Sequence, residues 1–172
     1  MKSFLHVYTG NGKGKTTAAV GLSVRAAAAG RRVFFAQFLK KGRFSEIKGL
    51  EKFNDMIDVR QYGNGPFIEG APSDKESAAA QKGLCESAEA MSSGKYGLVI
   101  LDEGCCALKY GLFDTRDLID AVRKRTGQCE VAVTGRGAAP ELIEEADLVT
   151  EMKEIKHYYN SGKTSARRGI EF

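Results

Sequence analysis

The chain has 172 residues, enough for one domain with a substantial hydrophobic core but few for two domains of average size. Hydrophobic residues make up 42% of the sequence and charged residues 28%, which is typical of a globular protein and excludes a disordered one. The formal net charge of +4 is compatible with an anionic ligand, but the basic residues are too scattered to indicate nucleic-acid binding. Without an internal repeat or linker, residues 1–172 are expected to form a single domain.

The sequence also argues against membrane insertion and export. No apolar run approaches the roughly 20 residues that a membrane-spanning helix needs, and the N-terminus enters a strand-like pattern where a signal peptide would have its apolar stretch. The four cysteines show no Cys-x-x-Cys spacing, so neither a metal site nor a disulfide framework is indicated; they are Cys85, Cys105, Cys106 and Cys129. We therefore expect a cytoplasmic protein with reduced cysteines and no membrane partner.

Short apolar runs alternate with helical patterns along the chain. The pattern predicts strands at residues 4–8, 33–38, 57–62, 98–101, 131–133 and 148–152. It predicts helices at residues 15–29, 46–53, 115–125 and 140–146, and a further helix from the capping box Ser73-Asp74-Lys75-Glu76 to Gly94. Asp114 is the expected cap of the helix at 115–125, and residues 63–72 are expected to be a loop. This alternation indicates an α/β domain with a mostly parallel sheet of about six strands, whose ligand lies at the carboxyl ends of the strands.

The first strand runs into a glycine-rich segment that ends in Gly14, Lys15 and Thr16. Glycines let backbone N–H groups converge on phosphate oxygens, the lysine neutralises charge, and the threonine hydroxyl is available to Mg²⁺. The helix that follows adds its N-terminal dipole to anion binding. The segment is one residue shorter than the usual P-loop, and a strand-to-helix turn without a ligand is the alternative. The expected phosphate-binding residues are Thr9, Gly10, Asn11, Gly12, Lys13, Gly14, Lys15, Thr16 and Thr17.

A second motif is the apolar run at 98–101, which ends in the carboxylates of Asp102 and Glu103. In P-loop proteins such a strand is expected beside the P-loop strand, where its acidic end reaches the metal directly or through water. Because a triphosphate needs Mg²⁺ and Mg²⁺ prefers oxygen ligands, we expect ATP binding, with Thr16, Glu103 and Asp102 at the metal. The reaction stays open at this point. An ATPase would use Glu103 to polarise water, whereas a kinase or transferase would direct another nucleophile to ATP.

The chain resembles the P-loop type of ATP:corrinoid adenosyltransferase in blocks that follow one another along nearly its whole length. The shortened P-loop, Thr134-Gly135-Arg136 and the closing Gly169-Ile170-Glu171-Phe172 are the most specific of them. The other blocks are Gln37-Phe38, Leu101-Asp102-Glu103, Ala107-Leu108-x-Tyr110-Gly111, residues 146–152 and Lys156-His157. The resemblance implies a P-loop NTPase-like three-layer domain.

The resemblance also implies a reaction. The Co(I) centre of a reduced corrinoid attacks C5′ of ATP and expels tripolyphosphate, in the biosynthesis or salvage of adenosylcobalamin. Such a step depends on alignment and on stabilising the charge of the leaving group, for which Lys15 and Glu103 are the implied catalytic residues. A homodimer and a flavin-dependent electron donor are implied as partners. The alternative is a P-loop ATPase or regulatory ATP-binding module without corrinoid chemistry.

The sequence leaves the roles of three residues and one segment open. Family members carry a Gly-Phe-Thr-Trp segment over the lower cobalt face, whereas this chain has Gly65-Pro66-Phe67-Ile68-Glu69. Phe67 is therefore the candidate catalytic aromatic, or a loop residue anchored on the core, and Glu69 stands in place of the tryptophan. Arg136 is expected either to contact ATP or to pair with a carboxylate, and His157 either to contact a ligand or to be structural. The basic segment at 161–168 either folds over the ligands or is solvated.

Overall fold

A computed structural model describes residues 2–65, 71–159, 162 and 164–171 of the chain. Within these residues, one sheet has six strands in the order β3-β2-β4-β5-β1-β6, and every neighbouring pair is parallel. The strands are β1 Leu5–Thr9, β2 Val33–Phe38, β3 Ile57–Tyr62, β4 Leu98–Asp102, β5 Glu130–Thr134 and β6 Leu148–Glu151. The predicted α/β class with a parallel six-stranded sheet is confirmed.

In the described residues, six α-helices connect these strands, together with one 3-10 turn at Glu51–Phe53. They are α1 Lys15–Ala28, α2 Ser45–Leu50, α3 Asp74–Ser92, α4 Gly104–Lys109, α5 Thr115–Arg123 and α6 Pro140–Glu145. The predicted capping box at the start of α3 is confirmed, since the Ser73 N–H donates to Glu76 Oε2 at 2.7 Å and the Glu76 N–H donates to Ser73 Oγ at 3.4 Å. Asp114 is the N-cap residue of α5, but its side chain makes no capping hydrogen bond. No helix in the described part of the chain is long and apolar enough to cross a membrane.

The sheet separates two apolar layers, because alternate residues of a strand face opposite sides. Leu101 of β4 packs with Met91 of α3 and Leu118 of α5 on one side. Ile100, the preceding residue of β4, packs with Ala19 of α1 on the other side. β4 is buried along its whole length, as its continuous apolar sequence predicts for a central strand. The result is a three-layer domain in which α1 and the pair α3 and α5 cover opposite faces.

One expectation about the sheet is wrong. β4 does not lie beside the P-loop strand β1, because β5 runs between them and pairs with both: Val133 is in register with Val7 of β1 and with Leu101 of β4. Val131, Ala132 and Val133 of β5 are fully buried, as expected for an interior strand covered on both faces. The carboxyl ends of β1, β5 and β4 still meet at one edge of the sheet, and the candidate site lies there.

Candidate active site

The P-loop connects β1 to α1 and is fixed from below by the segment that follows β6. The Gly12 N–H donates to the Met152 carbonyl oxygen at 2.7 Å. Gly10 has a φ of +97°, and a Cβ on it would lie 2.5 Å from the same oxygen. A side chain at Gly10 would therefore combine an unfavourable backbone conformation with a backbone clash. Glycine at this position lets the loop lie directly on the chain beneath it.

Lys15 begins α1 and bends back over the loop. Its Nζ donates to the Gly12 carbonyl oxygen at 2.7 Å. Burial lowers the pKa of Lys15 below its ordinary value, and the nearby positive charge of Arg136 lowers it further, against the opposing effect of Glu103. A phosphate group bound here would relieve both unfavourable effects, since it supplies the negative charge that a half-buried ammonium lacks.

Asp102 is the centre of a buried hydrogen-bond network beneath the cavity. Its Oδ1 accepts from Thr134 Oγ1 at 2.7 Å and from Thr16 Oγ1 at 2.9 Å, and its Oδ2 accepts from Gln37 Nε2 at 3.1 Å. Burial raises the pKa of Asp102, and the neighbouring charge of Glu103 acts in the same direction. Because the Thr16 proton points to Asp102, the lone pairs of the Thr16 oxygen are available to a cation. Asp102 therefore orients Thr16.

Glu103 has a different environment from the carboxylate beside it. Its backbone is left-handed, with a φ of +60°, and its N–H donates to Thr134 Oγ1 at 3.1 Å. This turn directs the Glu103 side chain to the cavity, where Oε1 lies 3.3 Å from Lys40 Nζ. Burial opposes the charge of Lys40, but Glu103 and Asp102 outweigh it, and the pKa of Lys40 is raised.

The cavity itself has a volume of about 480 Å³ and lies at the carboxyl edge of the sheet. Most of the predicted site residues line it: Asn11, Gly12, Lys13, Gly14, Lys15, Thr16, Thr17, Glu103 and Arg136. Thr9, Gly10 and Asp102 support the lining from the side of the sheet. Thr9 is buried at the end of β1, and its Oγ1 accepts from the Ala138 N–H at 3.3 Å. Phe67 and Glu69 lie outside the described residues.

The C-terminal segment forms one wall of the cavity. Lys13 Nζ donates to Glu171 Oε1 at 2.9 Å, and the Arg167 N–H donates to Glu171 Oε2 at 2.7 Å. Tyr158 also donates to Glu171, and the Lys13 and Arg167 cations lie over the Tyr158 ring. Glu171 connects this segment to the P-loop residue Lys13, whereas Arg167 contacts Glu171 and Tyr158, so both alternatives for the basic segment remain open. His157 and Arg136 both line the cavity, where contact with a ligand is open to them.

Sequence reasoning missed several cavity residues. Lys40 and Lys109 line the cavity but belong to no motif. Tyr110 and Ile170 belong to blocks of the family resemblance, but the resemblance did not indicate that they line the cavity. Gln37 and Thr134 belonged to such blocks too, and only the fold reveals that both donate to Asp102.

The donor chemistry at the cavity fits Mg²⁺, which prefers hard oxygen ligands. Thr16 offers a hydroxyl whose proton is already directed elsewhere, and Glu103 offers a carboxylate at the cavity surface. Asp102 is fully buried and accepts three hydrogen bonds, which suits orientation of Thr16 better than direct ligation.

A glycine-rich strand-to-helix loop with Gly-Lys-Thr at the carboxyl edge of a parallel sheet defines the class of P-loop proteins. Within that class, the family model described as ATP:corrinoid adenosyltransferase BtuR/CobO/CobP matches residues 1–172. The chain belongs to this family. The family resemblance and the transferase class expected from the sequence are confirmed.

Individual relatives agree with the family match. The chain is 34% identical over 172 residues to a corrinoid adenosyltransferase of Pseudomonas aeruginosa, covering 99% of this chain and 84% of the relative. It is 35% identical over 174 residues to a corrinoid adenosyltransferase of Sinorhizobium sp., covering 99% and 81%. A corrinoid adenosyltransferase of Escherichia coli K12 is 28% identical over 171 residues, with 99% and 86% covered.

Proposed function

We propose that this protein transfers the 5′-deoxyadenosyl group of ATP to the Co(I) centre of a reduced corrinoid and releases tripolyphosphate. The observation that carries the proposal is the 2.9 Å contact of Thr16 Oγ1 with Asp102 beneath a cavity lined by the P-loop, in a member of this family. The cobalt nucleophile attacks C5′, the C5′–O bond breaks, and the electron pair of that bond leaves with the tripolyphosphate. The protein's task is to align the two substrates and to stabilise the charge of the leaving group.

The phosphate-binding part of the proposal uses residues 9–17 with Arg136. Lys15 is the catalytic cation, because its half-buried ammonium lies over the loop and is destabilised until an anion binds. Glycines at 10, 12 and 14 give the backbone its close approach, while Asn11, Lys13 and Thr17 line the same cavity. Arg136 lies near enough to Lys15 to lower the pKa of Lys15, which supports a role for both cations at the triphosphate.

The metal part of the proposal assigns Mg²⁺ to Thr16 and Glu103, with Asp102 holding the Thr16 hydroxyl. When bound, Mg²⁺ supplies positive charge to the phosphate oxygens. Thr134 holds the Asp102 carboxylate and the Glu103 backbone, since its hydroxyl donates to Asp102 Oδ1 and accepts from the Glu103 N–H.

The remaining assignments rest on the family resemblance. Phe67 is proposed to cover the lower face of the corrin as a catalytic aromatic. A homodimer, a flavin-dependent electron donor and a cytoplasmic location complete the proposal, with residues 1–172 acting as one domain. The single sheet to which all six described strands belong supports the last of these assignments.

Product identity tests the proposal. The protein is incubated anaerobically with ATP, Mg²⁺ and chemically reduced cobalamin, and the cobalamin spectrum is recorded while phosphate products are separated. We expect adenosylcobalamin and tripolyphosphate in equal amounts, and neither without the reduced corrinoid. Orthophosphate released without corrinoid would identify an ATPase instead.

Lys15→Ala tests the phosphate site within this reaction. We expect weaker ATP binding and slower transfer together, by at least about 10-fold in kcat/KM, because the charge is used both in the bound state and for the leaving group. Lys41→Ala is the matched control, since Lys41 is exposed and follows the same edge of the sheet without lining the cavity. Wild-type turnover of Lys15→Ala at limiting ATP would contradict the assignment.

A further inference from the structure

Lys40 and Glu103 form an ion pair inside the cavity that the P-loop motif does not account for. Their Nζ and Oε1 atoms are 3.3 Å apart, and the two side chains are 23% and 20% exposed. Both residues line the cavity together with Lys15 and Thr16. The pair therefore sits among the groups assigned to the triphosphate.

The backbone is distorted on both sides of this pair. Leu39 has a φ of +66° and Glu103 a φ of +60°, and among the described non-glycine residues only these two have a positive φ. They follow the neighbouring strands β2 and β4, in which Gln37 is in register with Asp102. A left-handed conformation costs a non-glycine residue about 1–2 kcal/mol. Two such turns at one edge, each delivering a charged side chain to one cavity, indicate a functional arrangement.

The charges in the cavity suggest what Lys40 does. Glu103 is the surface carboxylate assigned to Mg²⁺ under the proposed function. A Glu103 carboxylate that turns to the metal leaves the Lys40 ammonium partly buried without its partner, which is unfavourable unless another anion replaces it. A phosphate oxygen of the nucleotide is such an anion. A lysine ammonium on its flexible four-carbon stem can change partners over a short distance.

We propose that Lys40 is a further nucleotide-binding residue that exchanges the Glu103 carboxylate for a phosphate oxygen of ATP. The inference rests on the proposed function and adds to it a second lysine at the triphosphate, contributed by the turn after β2. Lys40 thereby keeps Glu103 in place until the nucleotide arrives and neutralises phosphate charge afterwards.

The experiment measures ATP affinity in EDTA by isothermal titration calorimetry in a Glu103→Gln background. EDTA removes the metal and Glu103→Gln removes the carboxylate. An effect of Lys40 on ATP affinity that acts through either of them is therefore absent. Lys40→Met in this background is expected to weaken ATP binding about 10-fold, the size of one charge-assisted contact. Lys41→Met, which removes the same charge from an exposed neighbour outside the cavity lining, is expected to change affinity less than 2-fold. Lys40→Arg keeps the charge and should stay within about 3-fold of the background.

The outcomes separate this inference from the proposed function. Equal affinities for the Lys40→Met and Lys41→Met variants would overturn the role of Lys40 and leave the P-loop assignment standing. Failure of the unaltered protein to bind Mg²⁺-ATP would overturn both. Thermal unfolding of each variant shows whether it is folded, and Lys40→Gln replaces Lys40→Met if the latter does not fold. A loss of affinity with Lys40→Gln but not with Lys41→Met supports the contact of Lys40 with the ATP phosphates in the same way.

Discussion

Three glycine-to-alanine substitutions can measure how tightly the P-loop is pressed against the chain beneath it. Gly30 has a φ of +77° and open space around its missing Cβ, so Gly30→Ala tests backbone conformation alone. Gly12 lies outside the left-handed region, but a Cβ there would be 2.6 Å from the Met152 carbonyl oxygen. Gly10 has both problems, with a φ of +97° and a distance of 2.5 Å to the same oxygen. The three variants thus form a two-factor experiment.

The expected losses of stability follow from these two factors. Gly30→Ala should lower the free energy of unfolding by about 1–2 kcal/mol, the cost of a left-handed alanine. Gly12→Ala should lower it by about 1–3 kcal/mol, as overpacking against rigid neighbours does. Gly10→Ala should lower it by about 2–5 kcal/mol, the approximate sum of the two. Urea unfolding followed by circular dichroism measures all three, with unchanged m-values as the sign that the same transition is compared.

Two results would refute this reasoning. If Gly12→Ala is as stable as the unaltered protein, Met152 moves away from the loop at no cost, and the loop is not fixed from below. If Gly10→Ala loses no more stability than Gly30→Ala, the close approach contributes nothing beyond the backbone conformation. The first result would remove the structural reason for glycine at position 12, whereas the second would leave the positive φ as the reason for glycine at position 10.

Hydrogen bonds from Arg167, Tyr158 and Lys13 lower the pKa of Glu171 below its ordinary value of 4.5. The docking of the C-terminal segment should therefore be fully stabilised above pH 4.5 and be lost as the pH falls through the lowered pKa. An NMR titration of the Arg167 amide should show this transition, and its persistence in Glu171→Gln would contradict the assignment. Phe67→Ala should reduce activity strongly with Co(II) and a mild reductant but little with chemically prepared Co(I); equal losses in the two assays would contradict a lower-face role. Gly83→Ala should destabilise the fold by about 1–3 kcal/mol, because its Cβ would lie 2.6–2.8 Å from ring atoms of Tyr62 and Phe38, whereas Gly21→Ala, with open space around its Cβ, should not destabilise it.

Much of the fold could be predicted because it depends on local pattern. β2 at Val33–Phe38 and β3 at Ile57–Tyr62 have the predicted bounds, since each is an apolar or alternating run with clear ends. The helix α4 at Gly104–Lys109 was not predicted, because six residues without apolar periodicity give little signal. The insertion of β5 between β1 and β4 was missed for a different reason: a buried strand sequence does not specify its neighbours.

Part of the candidate site could also be predicted from the sequence. The P-loop and the Asp-Glu pair are contiguous motifs whose chemistry can be inferred from their residues and spacing. Lys40 and Glu171 reach the cavity only through tertiary contacts: Lys40 from the turn after β2, and Glu171 from a position 158 residues away from its partner Lys13. Lys40 carries no local spacing that would mark it, and although Glu171 stands in the closing block of the resemblance, only the fold reveals its contact with Lys13.

The adjacent carboxylates of Asp102 and Glu103 acquire separate roles from one feature of the backbone. Asp102 ends β4 in extended conformation, and its side chain lies in the buried edge where Thr16, Thr134 and Gln37 donate to it. The left-handed turn at Glu103 interrupts the strand and directs the next carboxylate to the cavity instead. If β4 continued in extended conformation through Glu103, the turn that directs this side chain to the cavity would be absent. The turn costs about 1–2 kcal/mol. Because of it, one carboxylate can hold the threonine while its neighbour remains available to a cation.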